Sequence, residues 1–215
     1  GLEITLSAPA RGAILLKNNP VAITATSTQD ATLTLLAGAQ VITTASGKTI
    51  SGSYTFTEGG WKWIIAKANG TDKTVYDSLR VYIRPDVVSQ ALPAGVRKGI
   101  NYPSATSATL VLWAPKKEFV YVVGDFNDWQ INDNYLMKKD GDNFWLELSG
   151  LETRKPYVFQ YFVDGQVKMA DPYTNQTSDA DDQYIPATSY PGLIPYPAGK
   201  ASGIASVLIP GQVSY

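Results

Sequence analysis

The chain has neither histidine nor cysteine among its 215 residues. Without histidine it lacks the commonest general base, the Ser-His and Cys-His nucleophile pairs and the usual zinc ligand. Without cysteine there are no disulfides and no thiolate chemistry. Charge is equally sparse in sign. Eighteen basic and nineteen acidic residues leave a formal net charge of −1, so there is no basic field to hold nucleic acid or an anionic membrane. No run approaches the roughly 20 apolar residues that span a bilayer. Nor does any segment keep apolar spacing at i, i+3, i+4 and i+7 over the length of a helix. The first residue, Gly1, follows no signal-peptide pattern, which leads us to expect trimming from a longer precursor or a cut sequence.

What remains is strand-forming. Apolar residues make up 44% of the chain and charged residues 17%, with 18 glycines and 13 prolines as punctuation. "VAITATST" (21–28), "ATLTLL" (31–36), "SYTFT" (53–57), "WKWIIAKA" (61–68) and "KTVYDSLRVYI" (73–83) predict six or seven short strands with a turn every eight to twelve residues. The pattern is that of an immunoglobulin-like sandwich over residues 1–86. Trp61 and Trp63 share a face of their strand. Burial in the core is the expected use of the pair, and an exposed stacking pair is the other. "RPDVVSQALPAGVRKG" (84–99) carries two prolines and no clear period, so a linker is expected over 87–97. A second sandwich is expected over 98–185, with hairpins turning at Asp140-Gly141 and Asp164-Gly165. Residues 186–215 read as a Pro/Gly-rich connector, with one last strand offered by "IASVLIP". The predicted fold class is all-β: two immunoglobulin-like sandwiches in tandem plus that connector.

"VYVVGDFNDWQI" (120–131) is the least expected stretch. Gly124 breaks a strand, and an Asp/Asn cluster then carries Phe126 and Trp129 into a polar turn. Sugars are bound by stacking a pyranose face on an aromatic ring while amides or carboxylates take the hydroxyls. "FNDW" supplies both, with Trp129 for the ring and Asn127 for the hydroxyls. The other reading is structural: Asn and Asp cap a tight turn while the aromatics seal the sandwich edge.

"VVGDFNDW", then "YVFQYFVDGQ" and then "DPYTN" resemble, in that order, the family-48 carbohydrate-binding module. This is the starch- and glycogen-binding sandwich of a kinase subunit, also found ahead of the barrel in glycoside hydrolase family 13 enzymes. The likeness runs over roughly residues 97–185. The tail "DDQYIPATSYPGLIPYP…GIASVL" resembles the segment before the barrel in Bacteroidetes-type α-amylase-like members. The resemblance implies a non-catalytic region of such an enzyme, with partners in α-glucan (starch, glycogen or maltooligosaccharide) and in the catalytic barrel of the same parent chain. It sets Trp129 at the first sugar-stacking tryptophan and Gln160 at the lysine that bonds sugar hydroxyls. Val167 stands where the second stacking tryptophan belongs, which forfeits half of the aromatic platform. The alternatives are a structural module that packs on the barrel without binding glucan, or a stand-alone glycogen sensor. By analogy, the parent is expected to be secreted, periplasmic or on the surface of a bacterium.

No catalytic residue, metal or cofactor is expected in the chain itself. Family-13 catalysis needs a barrel of about 250 residues with alternating strands and helices. Asp179, Asp181 and Asp182 are read as solvated acids rather than a glycosidase pair. "DGDN" (140–143) and "DADD" (179–182) lack the twelve-residue spacing and terminal Glu of an EF-hand loop.

Overall fold

The computed structural model describes residues 1–174, the backbone of 177–178, and residues 197–212. The chain divides into two compact units, Gly1–Asp86 and Val87–Tyr215. Strands dominate both, as the composition predicts. Asp179, Asp181 and Asp182 and most of the "YIPATSYPGLIPYP" connector lie outside the described residues.

In the first unit β1 (Ile4–Ala8), β2 (Ile14–Leu16), β3 (Pro20–Ala37), β4 (Gln40–Thr55), β5 (Gly60–Asn69) and β6 (Thr74–Arg84) run in the order β1-β3-β5-β6-β2, with β4 also on β3. "VAITATST" and "ATLTLL", expected as separate strands, are one 18-residue strand. Between them lies no Gly or Pro to stop the chain. The ladder instead shifts register between Thr26 and Ala31, where the Ser27 hydroxyl donates to the Gln29 carbonyl at 2.7 Å. The first half of β3 pairs with β1 and the second half with β5, so a single bent hairpin serves both layers. Ile23, Leu33, Leu35, Ile64, Ala66, Ala68, Val81 and Ile83 are fully buried between the layers.

That core corrects one expectation. Ile64, Ala66 and Ala68 take the inward side of β5, and strand alternation then puts Trp61 and Trp63 outside. They are 37% and 52% exposed.

The second unit is a two-sheet sandwich. One sheet runs β10 (Lys138–Asp140), β11 (Asn143–Leu148), β8 (Ser107–Trp113), β7 (Gly99–Ser104). The other runs β13 (Val167–Met169), β12 (Tyr157–Val163), β15 (Ala205–Leu208), β14 (Thr177–Ser178), with β9 (Val120–Gly124) on the opposite edge of β12. Leu110, Leu112, Phe144, Val120, Val122, Phe159 and Tyr161 form the core between the sheets.

Two expected boundaries differ here. The stretch 87–97 is not a free linker. Ser89 bridges Lys139 in parallel, the Gln90 amide donates to the Lys139 carbonyl at 3.0 Å, and the Leu92 amide donates to Asp140 Oδ2 at 3.0 Å. The Trp145 indole donates to the Gln90 carbonyl at 2.9 Å. A proline-bearing segment with no period of its own still covers a buried tryptophan, because the exposed edge of β10 offers it partners. Nor is the C-terminal stretch wholly a connector. β15 pairs antiparallel with β12 (Tyr157 opposite Leu208, Phe159 opposite Ser206), and Ala205, Val207 and Leu208 are buried. The sandwich is closed by residues some forty positions beyond its expected last hairpin.

Candidate functional site: the GDFNDW turn and the sheet face beneath it

The turn begins where β9 ends. Gly124 is extended, and a Cβ there would sit 2.7 Å from the Val158 carbonyl oxygen and 2.8 Å from Phe159 Cβ; only glycine lets β9 and β12 approach so closely. A single 3₁₀ turn, Asp125–Asn127, follows, and Asp128 and Trp129 are both left-handed, at φ 53° and 60°.

The polar side chains of the turn are fasteners. Asn127 accepts from the Gly124 amide at 3.0 Å and donates to the Val122 carbonyl at 2.9 Å. The Asp125 carboxylate accepts from the Val158 amide at 2.8 Å and from the Trp129 indole at 3.0 Å. This tie fixes the tryptophan over the outer face of the second sheet. There Trp129 packs with Val123, Val158, Ala205 and Val207, and only 7% of it is exposed.

Gln160 lies on the same face and is fully buried. Its amide nitrogen donates to the carbonyls of Ser202 and Ile204, the latter at 2.9 Å, and its oxygen accepts from the Ser202 amide at 3.0 Å. Residues 197–204 thus lie across the sheet as a strap. Lys200 pairs with Asp128 at 3.2 Å, and Lys168 donates to the Lys200 carbonyl at 3.2 Å. Val167 is 57% exposed.

The sheet brings Trp129, Asn127 and Gln160 to one end of β9 and β12, as a shared site requires, but it does not present them to a ligand. Trp129 offers no open ring face, and the side-chain amides of Asn127 and Gln160 are bonded to the backbone. The sequence assigns these three residues to sugar contact; in the fold their polar groups bond within the chain. For Gln160 the reason is tertiary, since the strap arrives from forty residues downstream and takes its amide hydrogen bonds. For Asn127 and the Trp129 indole it is local, since both bond within the turn or to the strand before it. Of the two readings of the turn, the geometry is that of the capped, sealed edge.

The third motif acts in the same way. Asp171 accepts from the Tyr161 hydroxyl at 2.7 Å and from the Tyr173 amide at 2.7 Å, while its own amide donates to Ser206 Oγ at 2.6 Å. Burial raises the Asp171 carboxyl above its ordinary value, and these donors pull it back. Burial first, and then the Asp171 charge, push the Tyr161 hydroxyl well above its ordinary value of 10.0. "DPYT" ties β12 to β15 from beneath as the strap does from above. The remaining oxygen-rich loop, "DGDN", is a hairpin turn in which Asp140 holds the Leu92 amide.

A tandem of β-sandwiches with a glycine-broken aromatic turn after strand β9 defines an all-β, module-like protein. Residues 98–174 match the family described as carbohydrate-binding module 48 (Isoamylase N-terminal domain), and the chain contains a domain of that family. Over 66 residues, 28% of this chain and 10% of the relative, it is 39% identical to a 1,4-alpha-glucan branching enzyme GlgB of Clostridium perfringens. Over 91 residues, 42% of this chain and 12% of the relative, it is 32% identical to the 1,4-alpha-glucan-branching enzyme of Saccharomyces cerevisiae. The matches thus span about a tenth of these relatives' length.

Proposed function

We propose that the chain is a non-catalytic accessory region of an α-glucan-acting enzyme of the glycoside hydrolase 13 type. Within it, the carbohydrate-binding module 48 domain acts as a structural module rather than as the sugar-holding surface. The family match and the branching-enzyme relatives support the substrate class. One observation carries the structural role: the side-chain amide of Gln160 is fully buried and bonded at both ends to the strap backbone. A glucan could reach that face only by displacing a covalently tethered competitor whose local concentration is high.

Titration of the isotopically labelled chain with maltoheptaose, read at the tryptophan indole N–H resonances, tests this. Trp129 and Trp145, whose indoles are bonded inside the second unit, are expected to stay in place. A saturable shift of the Trp129 indole would return the sugar site to the "GDFNDW" turn. The α-glucan assignment has its own test in native gels cast with amylopectin. Retarded migration of the whole chain is expected, and migration unchanged by any α-glucan would remove that assignment.

A further inference from the structure

The outward face of β5 and β6 in the first unit has the composition that the second unit's covered face has lost. Trp61, Trp63, Ile65 and Lys67 alternate along β5 on that side, and Arg80, Ser78 and Tyr76 stand opposite Trp63, Ile65 and Lys67 on β6. Trp63 is 52% exposed and Tyr76 62% exposed. Rings i and i+2 on a strand lie about 6.6 Å apart along it, comparable with the length of a hexose unit. Trp61 has cross-strand partners, but Trp63 leaves half of its surface in water beside it, and an exposed aromatic patch of this kind calls for a partner.

The rings are held for use. The Arg80 guanidinium lies 4.3 Å from the centre of the Trp61 ring, and Tyr82 meets that ring edge-on at 5.3 Å. Trp61 is thereby fixed as a wall, while Trp63 keeps an open ring. Beside them runs a groove of about 440 Å³ lined by Gln40, Tyr54, Glu58, Trp61, Lys62 and Trp63. The Tyr54 hydroxyl donates to Gln40 Oε1 at 3.1 Å, anchoring that amide by its oxygen and making its nitrogen the donor for a hydroxyl. Glu58 sets an acceptor at the groove rim and is held loosely, at 3.7 Å, by Lys62, which alternates to the other side of β5. An open ring, a fixed ring and a rim of both donors and acceptors suit a ligand with apolar ring faces and equatorial hydroxyls. Trp, Tyr and Arg are also enriched at protein interfaces, so contact between copies is the competing outcome.

We propose that the Trp61–Trp63 face of the N-terminal sandwich is a carbohydrate-binding surface, with Trp63 as the stacking platform and Gln40 and Glu58 bonding hydroxyls. That the sugar is an α-glucan rests on the reading given under Proposed function; that this face takes a sugar does not.

Native electrophoresis of the whole chain in gels containing amylopectin, xylan or a mixed-linkage β-glucan tests both parts. Wild type, Trp63→Ala and Trp113→Ala should be run side by side, the last being an exposed tryptophan (48%) on the second unit. Trp63→Ala should weaken amylopectin retardation at least tenfold, and Trp113→Ala should leave it unchanged. Unchanged melting of the first unit in Trp63→Ala checks that its fold survives. Retardation by amylopectin that is indifferent to Trp63→Ala overturns the face and leaves the α-glucan reading standing. Retardation by a β-linked polysaccharide alone, lost in Trp63→Ala, keeps the face and overturns the α-glucan reading. Retardation by none, or a self-association dispersed by Trp63→Ala, overturns the proposal, since the rings would then serve contact between copies.

Discussion

Gly124 is the residue on which the second unit's turn depends. Its conformation is extended, so it is not needed for backbone freedom; it is needed because β12 lies too close for any side chain. The obstructing atom is the Val158 carbonyl oxygen, in a residue whose amide is also fixed by Asp125. Relief therefore means moving backbone rather than rotating a side chain. Gly124→Ala is expected to destabilise the second unit by about 1–3 kcal/mol, the range for overpacked cores, read from urea unfolding. A change within a few tenths of a kcal/mol would mean that β9 and β12 part more easily than their spacing implies. The same residue-scale logic explains why the tryptophan in a polar turn was ambiguous in sequence. Asp125 and Asn127 have the chemistry to bond either hydroxyls or backbone amides, and only their partners tell which.

Among the elements, the strap and β15 decide what the outer sheet face exposes. Gln160 is the pin. Replacing it with Met keeps the length and the apolar contact but leaves the Ser202 and Ile204 carbonyls and the Ser202 amide without their partner. Unsatisfied buried polar groups cost roughly 1–3 kcal/mol, enough to open a short segment locally without unfolding the sandwich. Gln160→Met should therefore raise hydrogen exchange at Ser202 by one to two orders of magnitude while exchange in β8 and β11 stays slow. Equal protection in both proteins would show that the strap is held by its own contacts and not by the pin. The strap was hard to foresee from sequence because "PAGKASGIA" carries small residues and no period. Its placement comes from hydrogen bonds to a strand some forty residues earlier.

For the whole molecule, two separately cored units should give two unfolding transitions, and alkaline pH distinguishes them. Tyr161 is buried beside Asp171, and its hydroxyl stays protonated in the folded state above the ordinary value of 10.0. Above that pH the unfolded chain gives up a proton that the folded chain keeps. Stability is therefore intact below pH 10 and falls as pH rises toward the folded value. Tyr102, also in the second unit and also raised by burial, works in the same direction. Calorimetry from pH 8 to 11 should show the second unit's transition moving down, and Tyr161→Phe should flatten that fall while lowering the plateau, because it loses the bond to Asp171. A slope unchanged by Tyr161→Phe would assign the alkaline loss to other groups.

By itself the sequence determined the all-β class and the two Asp-Gly hairpins. The ordered motifs of the second domain were legible too, and so was the exclusion of His- and Cys-based chemistry. These follow from alternation, turn residues and composition, which are local properties. Strand parity put Trp61 and Trp63 on one face, and the same parity held the sign that the face is outward, since Lys67 shares it while Ile64, Ala66 and Ala68 take the other side. Size and apolarity argued for burial and hid that sign. Only the tertiary structure decided that β3 is continuous, that 88–92 cover Trp145, and that the strap occupies the face of Trp129 and Gln160. Each is a pairing between segments distant in sequence, and hydrogen bonds made across such distances leave no period in the chain that makes them.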